Sequence, residues 1–192
     1  LATSGAEPAV DAARGLLAPS AVPVCLEEAL VLSQQTSLPH GDGSLVALTL
    51  DREARVAVLE LNDPEHFNAL SSEMADDMQR AVAWLRSQPA ATVKAVVLQG
   101  RGAHFCPGGN PHRARGKGAE ASLAAFARSS VDLFAGFAAL RTLAVPVVGA
   151  VHGSVLGGGL AIALHTDCII ASEDATFQYG ELPRGLTPAA LF

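Results

Sequence analysis

Two glycine clusters are the residues best suited to chemistry in this chain. The first is Phe105-Cys106-Pro107-Gly108-Gly109-Asn110 and the second is Leu156-Gly157-Gly158-Gly159. Each lies just downstream of a run that reads as a buried strand, and the second opens a segment that reads as a helix. Glycine has no Cβ, so its backbone can take positive φ and approach a ligand closely. A helix N-terminus leaves N–H groups without intrahelical partners, pointing outward with partial positive charge. Two such turns facing each other could aim two N–H groups at one oxygen and form an oxyanion hole. Losing one donor from such a hole costs about 2.7–4 kcal/mol of transition-state stabilisation. The plain alternative is a pair of tight turns.

The elements that must carry these turns follow from pattern. Leu45–Leu50 and Arg55–Leu61 read as strands joined by the polar turn Asp51-Arg52-Glu53-Ala54. Asn62-Asp63-Pro64 ends the second strand. Ser71 or Ser72 caps a helix whose first turns carry Glu73, Asp76 and Asp77. Met74, Met78, Ala81, Val82 and Leu85 fall on one face of it, and Pro89 stops it. Val93–Gln99 is a third strand, and a long helix is expected from Glu120 to about Thr142. Leu123, Phe126, Ser130, Phe134, Phe137 and Leu140 mark its core stripe. Val145–Val151, a buried helix Gly159–Thr166 and a strand Cys168–Ala171 complete the pattern. Strands alternating with helices imply an α/β fold with parallel pairing.

The 192 residues suffice for one domain with a real core. The chain is 49% apolar and 17% charged, which suits a globular protein, and its net charge of −6 argues against nucleic acid as the main partner. Cys25, Cys106 and Cys168 fit neither a disulfide framework nor a zinc site. A reducing compartment, hence a soluble intracellular protein, is the expectation. No uncharged apolar run reaches the roughly 18 residues of a membrane span. Residues 1–44 are rich in Ala, Pro, Ser and Gly and read as a flexible leader or linker, leaving 45–192 as the folded core. The chain starts with Leu and stops inside an apolar run, so an excerpt or processed piece of a longer protein is expected.

Several motifs are absent. Gly153–Gly159 is not the dinucleotide fingerprint, Gly116-Lys117 is not a phosphate-binding loop, and no Gly-x-Ser-x-Gly elbow occurs. Four other segments carry a resemblance instead. They are Asp63-Pro64-Glu65-His66-Phe67-Asn68-Ala69-Leu70-Ser71, His104–Asn110, Val151–Gly159 and Asp167–Ala171. Each alone is weak, but in this order they resemble the crotonase superfamily, the enoyl-CoA hydratase/isomerase proteins. The resemblance implies a spiral of ββα units with a C-terminal helical part beyond this chain's end, and assembly into homotrimers or hexamers. It implies an acyl-thioester substrate, carried on coenzyme A or on a carrier-protein phosphopantetheine, with no permanently bound cofactor. By the motif match, the thioester oxygen would be held by the N–H groups of Gly109 and Gly158. Phe67, Ala69, Phe105, Gly108 and Gly157 would line the substrate.

The match also exposes a departure. Hydratases of this type have a Glu two residues after the Gly-Gly-Gly run, where this chain has Ala161. The second carboxylate position is kept as Glu181, inside Phe177–Pro188. Two carboxylates help add water across a double bond, whereas one can lift a proton from one carbon and return it to another. An isomerase-like proton shuttle is therefore favoured over hydration. Glu181 would need its pKa raised by apolar neighbours such as Leu182 and Phe177; the plain alternative is a surface carboxylate beside Arg184. Arg113, Arg115 and Lys117 either meet the phosphates of the carrier or form a solvated loop. Cys106 reads as a small buried hydrophobe and His152 as a structural histidine. Other readings stay open: a polyketide-pathway dehydratase or decarboxylase, suggested by Gly185-Leu186-Thr187-Pro188, or an acyl-thioester binder without turnover.

Overall fold

The computed structural model describes residues 43–109 and 134–180. The expected leader lies outside these residues except for Gly43 and Ser44, as do Arg113, Arg115, Lys117 and Glu181. Strands β1 (Val46–Asp51) and β2 (Val56–Leu61) form an antiparallel hairpin, with Val46 opposite Leu61 and Asp51 opposite Val56. Asp51 fixes the turn, its Oδ1 accepting from the Glu53 and Ala54 N–H groups at 3.0 and 2.8 Å. Beyond the hairpin the sheet is parallel. β3 (Ala95–Gly100), β4 (Val147–Val151) and β6 (Cys168–Ala171) follow β2 in the order β1-β2-β3-β4-β6.

Helix α1 (Ser72–Ser87) joins β2 to β3. Ser71 is its N-cap, and its Oγ accepts from the Met74 N–H at 3.2 Å. Met74, Met78, Ala81, Val82 and Leu85 are all buried, as their spacing requires. They join Ala57, Leu59, Leu61, Val96 and Leu98 in one core. Fully burying a Met or Leu side chain contributes about 1.5–3 kcal/mol. The other face of the sheet buries Val56, Val97, Val148 and Ala150. β4 is buried along its whole length, as a strand covered on both faces should be.

Asp77 departs from its expected role at the helix N-terminus. It is buried, and its Oδ2 accepts from the Leu45 N–H at 2.7 Å and the Ser44 hydroxyl at 3.0 Å. Arg80 pairs with its other oxygen. The carboxylate thus ties α1 to the chain entering β1, because the inward-facing side of the helix has one polar place that an N–H can fill.

Residues 134–138 are helical and tighten into a 3-10 turn at Ala139–Thr142, where the long helix was expected to end. Phe137 and Leu140 of its stripe are buried. Two strands were not legible from pattern: β5 (Ser154–Leu156) and β7 (Thr176–Gln178), which pair in parallel as a second sheet. At three residues each they are too short to show a period. Helix α2 (Gly158–Ala163) is wholly buried and starts one residue earlier than expected. Asp167 fixes the sheet beside it. Its Oδ2 accepts from the Val147 N–H and its own N–H donates to the Val147 carbonyl, both at 2.8 Å.

Candidate active site

The topology brings the two glycine clusters into contact. The first is laid alongside β5: the Cys106 N–H donates to the Ser154 carbonyl at 3.0 Å, and the Leu156 N–H donates to the Cys106 carbonyl at 3.1 Å. The chain then turns at Gly108, whose φ is 89°. A Cβ there would stand 2.9 Å from the Leu156 carbonyl oxygen and 3.1 Å from the Gly158 nitrogen. A Cβ on Gly159 would come within 2.1 Å of the Cys106 carbonyl oxygen. Both positions therefore need glycine because backbone presses against backbone.

Among the described residues nothing lies within 4 Å of where a Gly109 Cβ would be. The Gly108 carbonyl accepts from the Leu70 N–H at 2.9 Å, and the Gly157 N–H donates to the Gln178 carbonyl at 2.8 Å. These bonds hold the shoulders of the two turns. Among the described residues the N–H groups of Gly109 and Gly158 meet no acceptor. Gly158 is the first residue of α2, where an N–H has no intrahelical partner.

Of the other expected site residues, Phe105 is fully buried and packs in the main core, so its side chain supports the turn from behind. Ala69 is nearly buried, whereas Phe67 is 55% exposed. The Phe67 ring meets His104 edge-on at 5.3 Å between centroids. His104 Nδ1 accepts from the Ser154 N–H at 3.2 Å. Ala161, at the position of the missing carboxylate, is fully buried in α2.

Cys106 is the small buried group the sequence suggested. Burial pushes its thiol up to about 12, and the hydrogen bond from the Gly108 N–H offsets this only in part. A thiol so held is neutral near pH 7 and is no nucleophile. Asp174 is exposed, and its carboxyl is held below the usual range chiefly by the Ser172 hydroxyl, with a smaller effect from His152. Among the described residues no cluster of three or more His, Cys, Asp or Glu side chains could hold a metal ion.

Two buried polar side chains sit behind the first turn, Asn68 and the histidine that reads as structural, His152. Asn68 is fully buried, and its Nδ2 donates to the Arg101 and His104 carbonyls at 2.9 and 2.8 Å. His152 is also fully buried, and its Nε2 lies 2.9 Å from the Gly102 carbonyl. A carbonyl only accepts, so Nε2 carries the proton. The one available signal was Asn68 itself, a residue that tolerates left-handed backbone, here at φ 60°.

Residues 51–192 match the family model described as enoyl-CoA hydratase/isomerase. The chain belongs to that family. Its resemblance to the crotonase superfamily, drawn from four short segments, is thereby established, and so is the mixed α/β fold. A Thermus thermophilus protein, provisionally named an enoyl-CoA hydratase, is 37% identical over 140 residues, covering 71% of this chain and 53% of the relative. The crystal structure of an enoyl-CoA hydratase from Polaromonas sp. JS666 superposes with a TM-score of 0.68 at 30% identity, covering 76% of this chain and 55% of that one. A Thermobifida fusca structure in complex with acetoacetyl-CoA gives a TM-score of 0.64 at 27% identity, covering 77% of this chain and 58% of that one. This family member spans about half the length of the curated relatives it matches, 53% and 49% for two of them. Among the described residues no helix is long and apolar enough to cross a membrane.

Proposed function

We propose that this protein binds an acyl thioester, on coenzyme A or a carrier arm, and stabilises the enolate formed by removing its α-proton. The observation that carries this reading is the contact between the two turns, where a Cβ on Gly108 would stand 2.9 Å from the Leu156 carbonyl oxygen and 3.1 Å from the Gly158 nitrogen. It leaves two neighbouring N–H groups, of Gly109 and Gly158, for one oxygen. Removing a proton beside a thioester carbonyl puts negative charge on that oxygen, and preorganised donors then act with little reorganisation. The Thermobifida fusca relative bound to acetoacetyl-CoA supports coenzyme A as the carrier.

Glu181 is the proposed base. It lies outside the described residues, three positions after Gln178 in the sequence. Gln178 is itself bonded to Gly157 in the second turn. With Ala161 where a second carboxylate would stand, a one-base proton shuttle is favoured over hydration. Arg113 and Arg115 are proposed to meet the carrier's phosphates, and the complete protein is proposed to assemble as a trimer or hexamer.

Solvent-deuterium exchange at the α-carbon of butyryl-CoA tests the reading. The protein should catalyse exchange, and Glu181→Ala should abolish it with binding retained. Ala161 also favours a second reading, a thioester binder without turnover, which predicts binding with no exchange in either form.

A further inference from the structure

We infer that Asn68 and His152 are positioning residues that set the Gly109 donor against the thioester oxygen, an inference that rests on the oxyanion reading above. Residues 101–104 link β3 to the first glycine turn without strand or helix of their own. Inward-facing carbonyls in such a stretch need partners from elsewhere. Three of the four, those of Arg101, Gly102 and His104, are taken by just two side chains, each 0% exposed. Asn68 gives both hydrogens of its amide to the loop, while its Oδ1 accepts from the Asp63 N–H at 2.9 Å. His152 reaches the loop twice, through Nε2 to Gly102 and through its carbonyl, which accepts from the Phe105 N–H at 2.9 Å.

These grips extend to the turn itself. Two residues after Asn68, the Leu70 N–H holds the Gly108 carbonyl at 2.9 Å. One short segment, Asn68–Leu70, therefore holds the loop at its start and just before its reactive end. Gly109 pairs with Leu70 in an isolated parallel bridge, so the aim of its N–H depends on where this segment and the loop before it are held. A misplacement of about 1 Å in such a group can cost about 10²-fold in rate.

The test uses the complete protein with butyryl-CoA labelled with carbon-13 at the carbonyl, read by difference infrared spectroscopy alongside α-proton exchange. In the unmodified protein the carbonyl band should move to lower frequency on binding. Asn68→Gly keeps the left-handed backbone and removes the amide, and His152→Met removes the donor to Gly102. Each should keep its affinity within about threefold, lose most of the band shift, and slow exchange about 10- to 100-fold. His152→Gln, whose amide can reach the same carbonyl, should restore most of both. An undiminished band shift in a folded Asn68→Gly or His152→Met protein overturns the inference and leaves the oxyanion reading standing. Absence of the shift in the unmodified protein overturns both. Should Asn68→Gly fail to fold, the two His152 variants decide the matter alone.

Discussion

Both glycine turns are pinned by backbone bonds, but the loop leading into the first also leans on two buried side chains. Asn68 and His152 hold the loop leading to Gly108 and Gly109, and no described residue comes within 4 Å of a Cβ on Gly109. The second turn sits between β5 and a fully buried helix and is bonded to β7 through Gly157. One donor thus opens a buried helix, and the other follows a backbone-bonded turn whose approach also depends on removable side-chain clips. The difference teaches that the second turn should tolerate no change, while the first can be loosened without losing the protein.

The most severe test of this contrast is Gly159→Ala. Its methyl group would lie 2.1 Å from the Cys106 carbonyl oxygen, a backbone atom that cannot step aside. The expected loss is about 3 kcal/mol or more, read by chemical denaturation. Gly108→Ala should cost less, about 2 kcal/mol, because it adds left-handed strain and a 2.9 Å contact with Leu156. A near-neutral Gly159→Ala would show that the two clusters are not pressed together.

Within the first cluster lies Cys106, whose thiol is raised from 9.0 to about 12 by burial. The folded form holds its proton more tightly than the unfolded chain does. Stability from this group is therefore complete below pH 9 and lost as the pH rises toward 12. The slope should be about 1.4 kcal/mol per pH unit within that window. Denaturation midpoints from pH 8 to 11 check the sign, and Cys106→Ala should flatten this part of the profile. The smallest effect belongs to Gly109→Ala. With no described residue within 4 Å of its Cβ position and no positive φ, its stability should change by no more than about 0.5 kcal/mol. A large loss there would mean that the first turn is as confined as the second.

What was legible in the sequence was local. The stripe from Met74 to Leu85, the Ser71 cap and the strand Cys168–Ala171 all follow from short-range spacing, and the structure places them as expected. The glycine turns were visible because glycine pairs are costly without a reason. Asn68 belongs to a motif, but nothing local marks its work. Its carbonyl partners lie 33 and 36 residues away. The work of Asp77 is hidden for the same reason, since its partners Ser44 and Leu45 are 33 and 32 residues earlier. β5 and β7 are held by pairing with each other, which no three-residue run announces.

The central claim is that Gly109 and Gly158 share one thioester oxygen. A crystal structure of the complete protein with bound butyryl-CoA tests it most directly. The account predicts the carbonyl oxygen within about 2.7–3.1 Å of both nitrogens, the distance range of an oxyanion donor pair. A thioester carbonyl bound away from these two N–H groups would contradict it.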